Sequence, residues 1–150
     1  MTALPTLLTG DGAHANVREI LKGIELKQLG VRPDVSPHSI YEELWHLVYW
    51  QDLLLDWIHG EERIIPEEEG HDWPKKQAPA ELKEARELVR RFLEGINSAA
   101  QLARHVAELD RIVLQKYTVR SLLETLLAHN SYHLGQIVLL RQLIGIWPSS

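Results

Sequence analysis

The 150-residue sequence contains no cysteine. This absence excludes a disulfide framework, zinc bound by thiolates, iron–sulfur clusters and a cysteine nucleophile. An excess of positive charge is also missing, because 16 Lys and Arg residues stand against 21 Asp and Glu residues. Nucleic-acid-binding modules present a basic face, so we expect no nucleic-acid partner. Metal or acid–base chemistry is left to imidazole, carboxylate and hydroxyl groups, and the sequence supplies 8 histidines.

Long apolar runs are missing as well. The first residues lack the basic start and the apolar run of a signal peptide. The longest uncharged stretch, residues 125–140, contains two His, an Asn, a Ser and a Gln, which does not suit a membrane span of about 20 apolar residues. We therefore expect a soluble, cytoplasmic protein that has no membrane partner.

Four helical blocks are separated by Gly and Pro residues. Apolar residues recur at intervals of three and four within each block. The predicted blocks are Gly12–Leu29, Ser39–Gly60, Pro79–Leu109 and Val119–Leu143. No alternating run is long enough to build a sheet, although residues 111–117 could be extended. The chain length suits one core, so the prediction is a single all-α domain over residues 1–150, a four-helix bundle with a long connection, Glu61–Pro79, between its second and third helices.

Two of the predicted helices have recognisable N-terminal caps. Ser39 and Glu42 form the Ser-x-x-Glu pattern of a capping box, and Thr118 suits the N-cap of the fourth helix. The second helix is apolar on nearly all of its faces and carries a dense group of aromatic residues. These residues are Trp45, Tyr49, Trp50 and Trp57. Such a helix is enclosed either by its neighbours or by a partner subunit.

Histidines interrupt the apolar face of the fourth helix. His129 and His133 are four residues apart and therefore share one face, which Leu126 and Ile137 continue. Burying two imidazoles costs several kcal/mol unless they are hydrogen-bonded or bind a cation. Two core histidines held by carbonyl groups or water are one interpretation. His46, flanked by bulky apolar residues on the second helix, favours the other, which is one metal ion bound by three histidines with a coordination position left open.

Two better-known histidine sites do not fit the sequence. A zinc-protease His-Glu-x-x-His motif is absent, because Asn130 follows His129. A di-iron bundle needs two Glu-x-x-His motifs, and only Glu43 to His46 supplies one. Glu43 or His14 could add a fourth ligand, and Glu43 and Gln136 are candidate hydrogen-bond partners of the ligands.

The remaining histidines are expected to lie at the surface. His38 and His59 flank the second helix and are predicted to be solvated, and His105 lies among charged residues. His14 is predicted to lie at an N-terminal surface. For His71, in the long connection, exposure is the first expectation and closure over the metal site is the alternative.

These motifs resemble those of the DinB-like superfamily of DinB/YfiT-type metalloenzymes, which is distinct from the DNA polymerase of the same name. The resemblance rests on a histidine in the second helix, here His46, and on His-x-x-x-His-x-Gly-Gln in the fourth, here 129–136 with Gly135 and Gln136 adjacent. The segment 13–16, Ala-His-Ala-Asn, is similar to the family's Trp-Ala-Asn opening. Gln51 stands where many relatives have an acidic or basic residue.

The resemblance implies a four-helix bundle with an up-down-down-up course, which is often dimeric. It also implies a divalent metal ion, nickel or zinc, at His46, His129 and His133. Characterised relatives include thiol-dependent S-transferases and a mycothiol-dependent isomerase.

Three neutral imidazoles would leave the charge of a divalent ion uncompensated, so that the ion attracts anions and acidifies bound water. Since the chain has no thiol, a sulfur nucleophile would have to be an external low-molecular-weight thiol, reactive as the thiolate. We therefore expect a metal-dependent S-transferase of the detoxification type that acts on a small molecule, and the resemblance implies that it is a homodimer. The alternatives are a hydrolase that uses metal-bound hydroxide and a non-catalytic dimeric metal-binding protein of the stress response.

Overall fold

The computed structural model of the protein describes residues 3–148, whose regular secondary structure is almost entirely helical. The three short helices are α1 (Leu4–Leu8), α2 (Val17–Leu21) and α3 (Leu26–Leu29), and the three long ones are α4 (Ile40–Ile58), α5 (Leu82–Arg104) and α6 (Val119–Leu143). Helices α5 and α6 are joined by a 3-10 turn, Val106–Glu108, and by a hairpin of two antiparallel strands, β1 (Ile112–Val113) and β2 (Tyr117–Thr118). The all-α prediction is confirmed. The predicted domain over 1–150 includes four terminal positions that lie outside the described residues.

Helices α4 and α6 begin at the residues that the sequence predicts. The Ser39 hydroxyl accepts a hydrogen bond from the Glu42 N–H, and the Glu42 carboxylate accepts one from the Ser39 N–H. Thr118 and Ser121 exchange the same pair of bonds at the start of α6. These caps satisfy N–H groups that have no partner within the helix, and they fix the first residue of each helix.

The single first helix predicted over Gly12–Leu29 is wrong. The Asn16 side chain caps a five-residue helix, α2, which ends at Leu21. Lys22 is extended, with ψ 156°, and Gly23 has φ +68°, a left-handed conformation that favours glycine. The chain therefore turns before α3 starts, and three long helices are present where four were expected. The four-helix course remains a prediction.

The region around α5 also differs from the prediction. Helix α5 begins at Leu82 because Glu81 is extended, and it ends at Arg104 because His105, with ψ 72°, leaves the helical conformation. The stretch 111–117, for which an extended conformation is considered, forms most of the hairpin, in which Val113 lies opposite Tyr117. The expectation of no sheet is wrong to that extent, because strands of two residues are too short to show an alternating pattern.

The apolar core consists of two clusters separated by a polar layer. One cluster contains the first half of α4 and the end of α6, with Phe92 of α5 at 0% exposure. The other contains the second half of α4, the end of α5 and the start of α6. Between them lies what we call the polar layer, which comprises His46, Gln51, His129, Asn130 and His133. Helix α4 is thus largely enclosed by its own chain.

Membrane insertion of a helix finds no support in the structure. Across residues 3–148, no helix is at once sufficiently long and sufficiently apolar to cross a bilayer.

Candidate metal centre

The three predicted histidines converge in the polar layer. His46, His129 and His133 each contribute one ligand atom, and these atoms lie within 4.8 Å of one another. The Nε2 atoms of His46 and His129 are 3.2 Å apart. The ring centroid of His133 lies 4.4 Å from that of His46 and 4.5 Å from that of His129. His46 and His133 are buried and His129 is half-buried. Residues 83 positions apart in the sequence are therefore brought together by the packing of α4 on α6.

The main chain of the long connection orients His46. Nδ1 of His46 lies 2.8 Å from the carbonyl oxygen of Asp72. A carbonyl oxygen can only accept a hydrogen bond, so Nδ1 carries the proton and Nε2 presents its lone pair to the other two imidazoles.

Glu43 orients His133 in the same way. Oε2 of Glu43 lies 2.7 Å from Nδ1 of His133, and both side chains are buried. An ionised carboxylate can only accept a hydrogen bond, so Nδ1 of His133 carries the proton. The lone pair of Nε2 is then available to bind a metal ion. The prediction that Glu43 supports a ligand agrees with this contact, although the ligand is His133 and not the neighbouring His46. Glu43 does not belong to the converging group.

The arrangement fits a divalent metal ion. Without an ion, the Nε2–H of His129 can donate to Nε2 of His46, and an ion would take the place of that proton. An ion bound at about 2.1 Å by two imidazoles in tetrahedral geometry separates the two nitrogens by about 3.4 Å, close to the 3.2 Å observed. Imidazole ligands suit zinc and nickel among other ions.

Burial favours the neutral form of His129 and of His46. Burial, reinforced by the neighbouring His133 and His46, lowers the pKa of His129 to about 4. Burial also lowers the pKa of His46, and the hydrogen bond to the Asp72 carbonyl opposes part of that change. Metal binding requires the unprotonated imidazole, so both residues are in the required state at neutral pH.

Three consecutive residues of the long connection, His71, Asp72 and Trp73, cover the centre. The Trp73 ring is stacked on His46, with centroids 4.0 Å apart at 11°, and on His38, with centroids 3.6 Å apart at 3°. The Asp72 carboxylate accepts a hydrogen bond of 2.9 Å from Nε1 of Trp50. Closure over the metal site is the alternative that the sequence offers for His71, whereas the contacts of Asp72 and Trp73 are not predicted, because contacts made by a loop leave no periodic pattern in the sequence.

Two histidines predicted at the surface belong to this cover. His71 is half-buried, with Nδ1 2.9 Å from the Tyr49 hydroxyl, and His38 is half-buried against Trp73. The prediction of solvated side chains is therefore wrong for both, because each packs on an aromatic ring that the linear sequence places far away. His59 and His105 are exposed, as predicted.

Other candidates lie outside the centre. Nδ1 of His14 lies 2.8 Å from the neighbouring carbonyl of Ala15, and His14 is not part of the converging group. Gln136 makes no hydrogen bond to the three histidines within residues 3–148.

Gln51 serves a structural role behind the centre. It is fully buried, and its Nε2 donates to the Phe92 carbonyl on α5 while its Oε1 accepts from Asn130 on α6. The close approach of Gly95 leaves room for this side chain. Gln51 therefore links three helices through neutral hydrogen bonds.

Comparison with known proteins agrees with the resemblance seen in the motifs. A family model described as the DinB superfamily matches residues 10–137, a range that includes all three converging histidines. No curated protein matches the chain, and no solved structure matches it. Since the matched range covers most of the sequence, the chain belongs to the DinB superfamily.

Proposed function

We propose that the protein is a metal-dependent enzyme that activates an external low-molecular-weight thiol toward an electrophile. His46, His129 and His133 would hold one zinc or nickel ion. The observation that supports this proposal is the convergence of three imidazoles within 4.8 Å, with no carboxylate among them. When bound, a divalent ion with three neutral ligands keeps its positive charge and stabilises an anion such as a thiolate at neutral pH.

The residues around the centre prepare it for this role. Asp72 and Glu43 hold two of the imidazoles with their Nε2 lone pairs inward. Trp73 covers one face of His46 and keeps water from that side. The chain has no cysteine, so the thiol must come from solution.

The engagement of both nearby carboxylates favours a thiol over water as the nucleophile. Glu43 is bonded to His133, and the Asp72 carboxylate accepts from Trp50. A hydrolase gains from a free general base beside the attacking water. A thiolate, once ionised, needs none.

Metal content tests the site. The protein is purified without a histidine tag and analysed for metals beside two double variants. His129→Ala/His133→Ala removes two proposed ligands, and His59→Ala/His105→Ala removes two exposed histidines as the matched control. We expect one ion per chain in the unmodified protein and in the control, and almost none in the first variant. Equal metal content in all three would overturn the site.

Activity tests the reaction. The metal-loaded protein is assayed for conjugation of 1-chloro-2,4-dinitrobenzene with glutathione, mycothiol and other small thiols. We expect conjugation that requires both the metal and the thiol. Ester hydrolysis that needs the metal and ignores the thiol would replace this proposal with a hydrolase. A fully loaded protein that catalyses neither reaction would indicate a binding protein.

The course of the bundle is proposed with this function. The N-terminal segment with α2 and α3 would take the place of the first helix of an up-down-down-up bundle.

A homodimer is proposed as well. It would use α6, whose outer face exposes Tyr132, Leu139 and Leu143 at helical spacing. Light scattering on the purified protein, with Leu139→Lys as the disrupting variant, tests the dimer, and a monomer at all concentrations would refute it.

A further inference from the structure

A cleft of about 420 Å³ lies beside His129, between α4, β2 and α6. Three aromatic side chains form much of its wall, namely Trp50, Trp57 and Tyr117. The volume lies in the range of small-molecule sites, which is about 300–1,000 Å³. His129 is shared with the metal centre, so a molecule in the cleft would lie next to the proposed ion.

No charged side chain lines this cleft in the part of the chain that the structure describes. The remaining lining residues are Leu54, Leu122, Ser121 and Thr125. In the metal-free protein, a carboxylate, phosphate or sulfonate placed there would lose part of its hydration and meet no cationic side chain among the lining residues, at a cost in free energy. Without an ion in the metal centre, the wall therefore selects against anions, and it offers no carboxylate to pair with a cation.

The hydrogen-bond donors of the wall are almost all in use. Nε1 of Trp50 donates to Asp72, and Nε1 of Trp57 donates to the carbonyl of Arg63. The hydroxyl groups behave in the same way. Ser121 donates to the Thr118 carbonyl, and Thr125 donates to the Ser121 carbonyl, each at 2.8 Å.

Tyr117 provides a donor that is not in use. Within residues 3–148 its hydroxyl makes no hydrogen bond. Its ring lies parallel to that of Trp57, with centroids 5.8 Å apart at 8°, and Nζ of Lys116 lies 5.0 Å from the ring centroid. The phenol is therefore held in place while its hydroxyl is free to donate.

We infer that this cleft binds an uncharged aromatic molecule, with the Tyr117 hydroxyl donating to one acceptor atom on it. Ring-on-ring packing with the indoles would supply the affinity, and the absence of charge would supply the selectivity. The assignment of this molecule as the electrophile rests on the proposed function. Its binding does not.

Binding of matched probes tests the inference. Equilibrium dialysis of the metal-free protein at neutral pH compares naphthalene-2-carboxamide with naphthalene-2-carboxylate, which share a ring system and differ in charge. We expect the carboxamide to bind at least about tenfold more tightly. Tyr117→Phe should weaken carboxamide binding by about two- to tenfold and leave the binding of unsubstituted naphthalene unchanged. Equal or tighter binding of the carboxylate would overturn the inference.

A second pair of variants tests the location. Thr125→Trp places a large ring in the cleft and should reduce carboxamide affinity by about tenfold or more. Glu124→Trp adds the same ring at the adjacent exposed position, which does not line the cleft, and should leave the affinity unchanged. Circular dichroism establishes that both fold. Loss of binding in both, or in neither, would refute the location.

The same probes separate this inference from the proposed function. His46→Ala/His133→Ala removes two proposed metal ligands that do not line the cleft. We expect carboxamide binding to survive in that variant. If binding survives and the metal-loaded protein catalyses no conjugation, the proposed function alone fails. If conjugation occurs and the neutral probe does not bind, the cleft assignment alone fails.

Discussion

Oε2 of Glu43 lies 2.7 Å from Nδ1 of His133, so this buried contact joins α4 to α6 at the level of the candidate metal centre. Because the Glu43 carboxylate accepts the hydrogen bond from Nδ1, Nε2 is the ring nitrogen of His133 that carries no proton. Residues of this kind commonly determine how tightly a metal is bound, although they never touch it.

Glu43→Ala is expected to reduce zinc affinity by about 10- to 100-fold, because His133 loses the acceptor that fixes its proton on Nδ1. Glu43→Gln keeps an acceptor oxygen and should lose less. Competition with a chromophoric chelator measures both. Glu124→Ala, at an exposed position of α6, is the control. An unchanged affinity in Glu43→Ala would show that the contact does not support the site.

Acid is expected to destabilise the metal-free protein through its buried histidines. The pKa of His129 is lowered to about 4 from the ordinary value of 6.5. Between these values the unfolded chain binds a proton that the folded chain does not, so the free energy of unfolding falls as the pH drops from 6.5 toward 4. Above 6.5 this contribution is constant.

Urea denaturation at several pH values, after dialysis against a chelator, measures this effect. His129→Gln removes the titrating group, so its free energy of unfolding should decline less steeply over the same range. Parallel pH profiles for the two proteins would contradict the assignment of the effect to His129.

Gly95→Ala is expected to lower the free energy of unfolding by about 1–3 kcal/mol. The added Cβ would lie 2.5 Å from Cδ of Gln51, which is fully buried and hydrogen-bonded on both sides of its amide. Gly135→Ala is the matched control, because its Cβ meets nothing within 4 Å on an exposed part of α6. There the usual helical preference for alanine should add up to about 1 kcal/mol. Thermal unfolding measures whether Gly95→Ala lowers the free energy of unfolding and Gly135→Ala raises it. Equal changes in the two variants would show that the Cβ at position 95 is not crowded by Gln51.

Arg141→Lys is expected to destabilise the fold by about 2–3 kcal/mol. The guanidinium is 1% exposed and donates to the carbonyls of Glu19, Ile20 and Ile146. These bonds tie α2 and the C-terminal residues to α6, and an ammonium group cannot match the planar fork that makes them. Arg104→Lys, at an exposed position, should change the melting temperature little. Similar melting temperatures in the two variants would contradict this role.

The parts of the fold that the sequence predicts well have local causes. Ser39 and Thr118 cap α4 and α6 through bonds to residues three positions away, and such pairs are visible in the linear sequence. His129 and His133 could be placed together because helical spacing requires it. Their meeting with His46 was a hypothesis from burial, since apolar residues surround all three.

The parts that the sequence misses depend on distant contacts. The apolar spacing of Val17, Ile20 and Ile24 suits a helix, and only the left-handed turn at Gly23 shows that the helix stops. Asp72 and Trp73 reach the centre from a connection without periodicity. Their position is set by contacts with His46 and Trp50 of α4, and these contacts cannot be derived from the residues next to Asp72 and Trp73 in the chain.

The polar layer divides the apolar core at the level of the three imidazoles, with a separate cluster on each side. The two clusters are joined there by the helices that run through both, by the hydrogen bonds of Gln51 and Glu43, and by any ion bound among the imidazoles. Occupancy of the centre would therefore affect cooperativity as well as chemistry. An ion there would couple the two ends of the molecule more tightly, and its removal would let each end fluctuate more independently.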